Sequence, residues 1–248
     1  MRVDQGKNKI DLSIITIAYK INSDLFRCIH SCNFSEINTE HILVFPDREK
    51  EKVLSEFNND FHLIFDSGKG VYNAVNEGLR ITKGKKVLVL HGDNYLTNEG
   101  PNLIEKHIDN QNIQFGCNSI LNNKRKKTFL FTKINFLNLI CGLYPPHPGL
   151  VLDNSNILKI GLYNEKYKIC SDFDYYIRIF QSKIKIVFIK EQIIESPIGG
   201  ISSSGLKSVL FIILERFQIL KNFYWFLTPL LPITILMGYI VKLIHRNY

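Results

Sequence analysis

The apolar positions in the first part of the chain gather in short unbroken runs: Leu12-Ser13-Ile14-Ile15-Thr16-Ile17-Ala18-Tyr19, His41-Ile42-Leu43-Val44-Phe45, His62-Leu63-Ile64-Phe65 and Val87-Leu88-Val89-Leu90. Runs of this length, rich in β-branched and aromatic residues, predict buried strands. Between them the spacing lengthens to the helical repeat. Ser23 can cap a helix that opens at Asp24 and carries Leu25, Ile29 and Cys32. A second helix is expected around Glu49 to Phe57. A third runs from Val71 to Leu79, with Val71, Ala74, Val75, Gly78 and Leu79 facing inward and Lys83-Gly84-Lys85 ending it. Strands alternating with helices predict an α/β fold, a mostly parallel central sheet with helices on both faces.

The pattern then loosens. Ile113 to Ser119 and Lys127 to Phe131 read as strands of a smaller mixed sheet, and Leu150 to Leu152 as another strand. Tyr144-Pro145-Pro146-His147-Pro148-Gly149 is a loop, because its prolines lack the N–H that regular structure needs. Asn156 to Ile160 fits a short helix stopped by Gly161, Asp172 to Gln181 a helix on Phe173, Ile177 and Phe180, and Ile184 to Ile189 a last strand. The polar stretch Gly199 to Gly205 predicts a boundary, giving a domain over 1–204 and an apolar helical tail over 205–248.

That tail has its own pattern. Val209 to Leu220 is apolar with Glu215, Arg216 and Gln218 set into it, and Asn222 to Val241 carries no charged side chain. Pro229, Pro232 and Gly238 interrupt it as one straight helix. Tyr224 and Trp225 suit a membrane–water interface, and Lys207, Arg216, Lys221, Lys242 and Arg246 could meet anionic headgroups. A helical hairpin folded onto the core is the alternative. The missing charge favours membrane contact, by lying in the interface or by spanning.

Composition narrows the classes. With 248 residues, 45% of them hydrophobic, the chain can build a sizeable core. Its net charge of +8, from 31 basic and 23 acidic residues, suits an anionic membrane surface or a phosphorylated substrate. Only Lys124-Arg125-Lys126-Lys127 concentrates that charge, and no nucleic-acid motif accompanies it, so no nucleic-acid partner is expected. The five cysteines are dispersed. Cys28 and Cys32 have helical spacing but no second pair to complete a zinc site, so free thiols in a reducing cytosol are expected. Met1 to Lys9 is polar, without the apolar core of a secretory signal.

Two acidic stretches carry candidate chemistry. The strand ending at Leu90 runs into His91-Gly92-Asp93-Asn94, which presents a carboxylate beyond a strand's carboxyl end, where α/β sheets collect ligands. A plain turn explains the same residues. Asp66 and the loop after Tyr19 are expected at the same edge. Cys170-Ser171-Asp172-Phe173-Asp174-Tyr175 places two acids in a helix's first turn, where exposed N–H groups favour anions whether or not they do chemistry.

The order of the pieces resembles a known family. The Ser-Ile-Ile-Thr-Ile-Ala-Tyr strand comes first, then Gly70-Val71-Tyr72-Asn73-Ala74-Val75-Asn76-Glu77-Gly78 and Val87-Leu88-Val89-Leu90-His91-Gly92-Asp93-Asn94-Tyr95-Leu96. Pro146-His147-Pro148, Ile160-Gly161-Leu162-Tyr163-Asn164-Glu165-Lys166-Tyr167 and Ser171-Asp172-Phe173-Asp174-Tyr175-Tyr176-Ile177-Arg178 complete it. From about Leu12 to Ile189 the chain resembles family 2 glycosyltransferases of the GT-A fold, above all bacterial enzymes of surface polysaccharide assembly such as the colanic acid type.

The resemblance implies a Rossmann-like GT-A sheet and a site. Asp93 would meet the sugar nucleotide and, with Asn94, a divalent Mg or Mn ion. Asn94 stands where the family has a second acid, and a neutral amide is a weaker ligand for a hard cation. Asp172 takes the place of the catalytic base, with Asp174 beside it and His147 in the acceptor-side loop. Tyr19 and Asp66 fall on the donor side. Phe45-Pro46-Asp47-Arg48 replaces the usual Asp-Gly-x-Ser, with Asp47 as a shifted stand-in for the donor-binding acid. Gly68 replaces another common acid.

The expected activity is an inverting transfer of a sugar from a nucleotide donor to a lipid-linked saccharide at the cytoplasmic face of a bacterial inner membrane. The alternative is a catalytically weakened, membrane-tethered nucleotide-sugar-binding or scaffold protein. A nucleotidyltransferase would need a glycine-rich phosphate loop after the first strand, and Ala18-Tyr19-Lys20-Ile21-Asn22 supplies none.

Overall fold

The computed structural model describes residues 9–57, 60–121, 124–129, 131–197, 206–230, 232–234 and 237–238. The predicted boundary at Gly199 to Gly205 and the end of the charge-free run lie outside the described residues, as does most of Met1 to Lys9.

Four parallel strands form the heart of the sheet: β1 (Leu12–Ile17), β2 (Thr39–Pro46), β3 (His62–Asp66) and β4 (Lys86–His91), in the order β3-β2-β1-β4. Their register aligns the carboxyl ends, with Ile17 opposite both Val44 and His91, and Pro46 opposite Asp66. The residues that follow these strands therefore share one edge. β1, β2 and β4 are buried on both faces over most of their length, while the edge strand β3 is only partly buried. Ile15, Val87 and Val89 enter one core and Ile14, Leu88 and Leu90 the other, by the two-residue alternation of a strand.

Helices supply both covers. On one face lie α1 (Ser23–Ser31) and α2 (Lys50–Glu56), which bury Leu25, Cys28 and Val53. Ser23 is the first helical residue and Asn22 the cap, its side chain accepting from the Leu25 N–H at 3.0 Å. The other face carries α3 (Val71–Ile81). That helix sits so close to β1 that a Cβ at Gly78 would lie 2.6 Å from the Ile15 Cγ2.

The second half extends this sheet instead of building a separate smaller one. β5 (Tyr95–Leu96), β6 (Asn112–Leu121), β7 (Lys124–Phe129), β8 (Leu150–Asp153) and β9 (Ile186–Pro197) continue it as β4-β8-β6-β9-β5, with β7 on β6. β8 is antiparallel to β4 and β6, while β6 and β9 are parallel, so the sheet is mixed beyond β4. β9 outruns the expected strand because Lys190-Glu191-Gln192 lies in a register shift, with Gln114 opposite Phe188 and Gly116 opposite Gln192. Helices α4 (Gly100–His107) and α5 (Phe136–Ile140) were not expected; α6 (Asn154–Ile160) and α7 (Ser171–Gln181) were.

The tail opens with α8 (Leu206–Phe223) and continues as a 3-10 segment, Trp225–Leu230. Ile219 and Leu220 are fully buried and belong to the same core as Val87 and Tyr176. Burial of that kind is worth roughly 1.5–3 kcal/mol per side chain. Among the described residues no helix is long and apolar enough to cross a membrane.

Candidate active site

The strand ends deliver two clusters. Tyr19, just past β1, is exposed, and the Arg48 guanidinium lies 4.0 Å from its ring centre. Asp47 opens the 3-10 turn after β2, and Asp66 closes β3. Asp66 is buried and accepts from the Gly68 N–H. Burial raises its carboxyl above the ordinary range; the Gly68 bond opposes this, Asp47 and Glu77 add to it, and Arg48 opposes it. Tyr19, Asp47, Arg48 and Asp66 thus form one polar rim. Arg48, next to Asp47 in the sequence, was the member missed.

Beyond β4 the chain turns, with the Asn94 N–H donating to the His91 carbonyl at 2.8 Å. Asp93 is exposed at this turn. Asn94 is 3% exposed, and its Nδ2 donates to Asp93 Oδ1 at 3.1 Å and to Ser196 Oγ at 2.9 Å, while its Oδ1 is buried with no hydrogen-bond partner. In this orientation Asn94 fixes the Asp93 carboxylate. Turning the amide over would set Oδ1 against that carboxylate, an arrangement favourable only with a cation between them. Among the described residues no group of three or more His, Cys, Asp or Glu side chains could hold a metal ion. The donor set fits a cation that takes one carboxylate, at most one amide oxygen, and its remaining ligands from phosphate and water.

Asp172 lies in the first turn of α7, half-buried, and its Oδ1 accepts from the Phe173 N–H at 2.7 Å and the Tyr144 hydroxyl at 3.2 Å. Tyrosines surround it. Burial first, with the Asp172 charge adding to it, pushes Tyr72, Tyr144, Tyr163 and Tyr176 above the ordinary phenol range. These phenols stay neutral donors.

A row of packed rings, His91, His147, Tyr163 and Tyr72, lies close enough to both acids to feel their charge. Asp93 acts on His91, whose ring centre is 5.4 Å from that of His147. His147 is 5.9 Å, ring to ring, from Tyr163 and within 3.4 Å of its hydroxyl through Nδ1. Tyr163 stacks on Tyr72 and feels Asp172. Burial, with His91 adding to it, pushes His147 down to about 3, so it is neutral at physiological pH. Two sequence motifs meet beside these rings: Asn76 exchanges hydrogen bonds with the Tyr163 backbone at 2.9 and 2.8 Å, and both Asn73 and Asn76 donate to Glu165.

Asp174 points elsewhere. It is 3% exposed, and its Oδ2 accepts from Arg178 Nε at 2.8 Å and forms an ion pair with Nη2 at 2.8 Å. Arg178 also donates to the Ile160 carbonyl at 2.7 Å, so this pair ties α7 to α6. A groove of about 1290 Å³ beside β5 and β9, lined by Arg27, Tyr95, Glu99 and Glu195 among others, includes neither Asp93 nor Asp172.

The architecture is similar to that of S. aureus TarS. Residues 1–349 of TarS give a TM-score of 0.61 at 15% identity, over 86% of this chain and 66% of that one. The same part of TarS in complex with UDP-GlcNAc gives 0.63 at 15% identity, over 86% and 67%. The UDP complex gives 0.57 at 15%, over 86% and 70%. This chain therefore spans about two thirds of the length of that part of TarS. At this identity the likeness to TarS carries the fold. No family model matches the chain, and no curated protein does.

Proposed function

We propose that the protein is a glycosyltransferase that moves a sugar from a nucleotide donor to an acceptor hydroxyl with inversion, using Asp172 as general base. One observation carries the reading: a half-buried carboxylate, oriented by the Tyr144 hydroxyl, and the strand-end acid Asp93 act on opposite ends of one row of packed rings, Tyr163, His147 and His91. The TarS fold was solved with UDP-GlcNAc bound, which supports a nucleotide-sugar donor.

In this reading the rim of Tyr19, Asp47, Arg48 and Asp66 receives the nucleotide, and Arg48 brings positive charge to it. Asp93, fixed by Asn94, faces the diphosphate. A Mg or Mn ion held by Asp93, and by Asn94 if its amide turns, would neutralise charge on the leaving diphosphate. Asp172 takes the proton of the acceptor hydroxyl as that oxygen attacks the anomeric carbon, and the diphosphate leaves from the opposite face. A positioned carboxylate contributes typically about 10²–10⁴-fold as general base. Neutral His147 and Tyr163 are buried behind the site and brace it without charging.

The acceptor we assign is a lipid-linked saccharide, and the location the cytoplasmic face of a bacterial inner membrane, as in the surface polysaccharide enzymes the sequence resembles. α8 supports this. Its outward positions Leu210, Phe211 and Leu214 are 60, 49 and 65% exposed, and Trp225 and Phe226 beyond it 74 and 60%. Lys207 and Lys221 are exposed at its two ends. An apolar band with basic ends suits an anionic lipid surface.

A screen of UDP-, GDP- and dTDP-sugars with membrane extract as acceptor, reading released nucleoside diphosphate with and without Mn²⁺, tests the reading. Asp172→Asn should lower turnover by about 10²-fold or more while leaving donor affinity in calorimetry unchanged. Equal turnover by Asp172→Asn would remove the base assignment. Donor binding without turnover by the wild type would favour the weakened-binder alternative, which the neutral Asn94 supports.

A further inference from the structure

α8 is inside out. A helix on a water-soluble surface turns its apolar stripe to the core and its charges to water. Here Glu215 and Arg216 are 9 and 4% exposed and face the protein, while Leu210, Phe211 and Leu214 face outward. A buried charge persists only where it has firm partners, and these two residues find theirs on either side of Asp172.

Glu215 takes the backbone before the base. Its Oε1 accepts from the Lys168 N–H at 2.7 Å, and its Oε2 from Ile169 and Cys170 at 3.0 and 2.9 Å. α7 begins at Ser171, and its N-cap residue, Cys170, provides no side-chain cap. Glu215 thus fixes three successive amides at the entrance to α7 from a distant helix, two residues short of Asp172. The Tyr72 hydroxyl holds the same segment through the Ile169 carbonyl at 2.6 Å.

Arg216 takes the other side. Its guanidinium carbon lies 5.7 Å from the Tyr144 ring centre and 5.6 Å from that of Phe173. Its positive charge acts on the Tyr144 phenol, which donates to Asp172, in the sense opposite to the Asp172 charge. Space for it comes from Gly142, where φ is +67° and a Cβ would stand 2.4 Å from Arg216 Nη1.

We propose that Glu215 and Arg216 are positioning residues for the transfer reaction, setting Asp172 through the 168–170 backbone and through Tyr144. This rests on the glycosyltransferase reading above. It makes α8 part of the active site's support, with the base on its inner side and the proposed lipid contact on its outer side.

The test uses the full chain with the best donor and acceptor from the screen. Glu215→Gln keeps the size of the side chain but leaves one oxygen to serve three N–H groups and turns an NH2 toward the others. It should lower kcat by about tenfold to 10²-fold, the scale of a small misplacement of a reacting group, with donor Kd and acceptor KM unchanged. For Arg216, Arg216→Lys keeps the charge and loses the planar fork. Combined with Tyr144→Phe, it should cost little beyond the larger single effect, because both act on Asp172 along one path.

Wild-type kcat in Glu215→Gln, or simple multiplication of the Arg216→Lys and Tyr144→Phe effects, overturns the positioning role and leaves the glycosyltransferase reading intact. A Glu215→Gln protein that does not fold leaves the Arg216–Tyr144 cycle to decide. A wild-type chain that releases no nucleoside diphosphate from any donor removes the underlying reading, and the proposal with it.

Discussion

Replacing Asn94 with Asp would restore the second acid that the resemblance leads one to expect, and the structure predicts a cost. Asn94 Nδ2 sits 3.1 Å from Asp93 Oδ1. An aspartate there exchanges a hydrogen-bond donor for a second negative charge at that separation. Coulomb's law gives about 1 kcal/mol of repulsion if the pair is screened as in water and about 5 kcal/mol at an effective dielectric of 20. Asp93 is exposed and position 94 buried, so the cost falls between these limits, about 2 kcal/mol. For a chain of this size that lowers Tm by about 4–8 °C. The deficit should shrink as pH falls and the pair takes up a proton, since like charges at this distance resist joint ionisation. In the proposed reading it should also shrink on adding Mn²⁺, because two carboxylates hold a hard cation more tightly than a carboxylate and an amide do. Thermal melts of Asn94→Asp and wild type, at pH 7 and 5, with EDTA or Mn²⁺, measure all three effects. If the variant melts with the wild type in EDTA at pH 7, the orientation assigned to Asn94 is wrong. If Mn²⁺ stabilises both proteins equally or neither, Asp93 and position 94 are not a cation site.

Other parts of the structure make further predictions. Gly78→Ala should destabilise by about 1–3 kcal/mol in urea melts, because the new methyl would stand 2.6 Å from Ile15 Cγ2; an unchanged midpoint would contradict the close packing of α3 on β1. His147, held at about 3 when folded against 6.5 unfolded, makes stability fall as pH drops below about 6.5, because the unfolded chain takes up the proton first. At pH 5 this amounts to about 2 kcal/mol, and His147→Gln should flatten the pH slope of the urea midpoint by that amount, whatever its effect at pH 7. Leu210→Asp with Leu214→Asp should release the protein from anionic vesicles with little change in Tm, since both side chains are exposed; continued sedimentation with vesicles would refute the outward-face assignment.

The parallel half of the fold was legible because its information is local. Each of β1 to β4 carries a short apolar run, the pattern left by strands buried on both faces as β1, β2 and β4 are. Their shared edge followed, and so did the placement of Asp66, Asp93 and the loop after Tyr19 along it; Asp47 entered only through the resemblance. β5 was not legible, since two residues, Tyr95 and Leu96, carry no period. β9 was cut short in the reading because Lys190-Glu191-Gln192 ends the apolar run, although the chain resumes its pairing after a register shift. The row of rings beside the acids was hidden for another reason. Tyr72, Tyr163 and His147 come from separate elements and carry no mutual spacing. The motifs around Asn76 and Tyr163 are both part of the resemblance, but it is their hydrogen bonds in the structure that show these segments meet.

The tail shows what a hydropathy pattern leaves open. Glu215 and Arg216 interrupt an apolar stretch, and sequence alone admits either face for them. The contacts that decide it, from Glu215 to the amides of Lys168, Ile169 and Cys170, span 45 to 47 positions of the chain. Because Ile219 and Leu220 are core residues, deletion from residue 205 onward would remove core and clamp together, and loss of membrane binding in such a truncation would say little about lipid contact. Substitutions on the outer face separate the two. If vesicle binding and turnover fall together in Leu210→Asp with Leu214→Asp while turnover on a soluble acceptor is kept, α8 serves the acceptor's membrane. If soluble turnover falls too, the outer face is needed to hold Glu215 and Arg216 against the base.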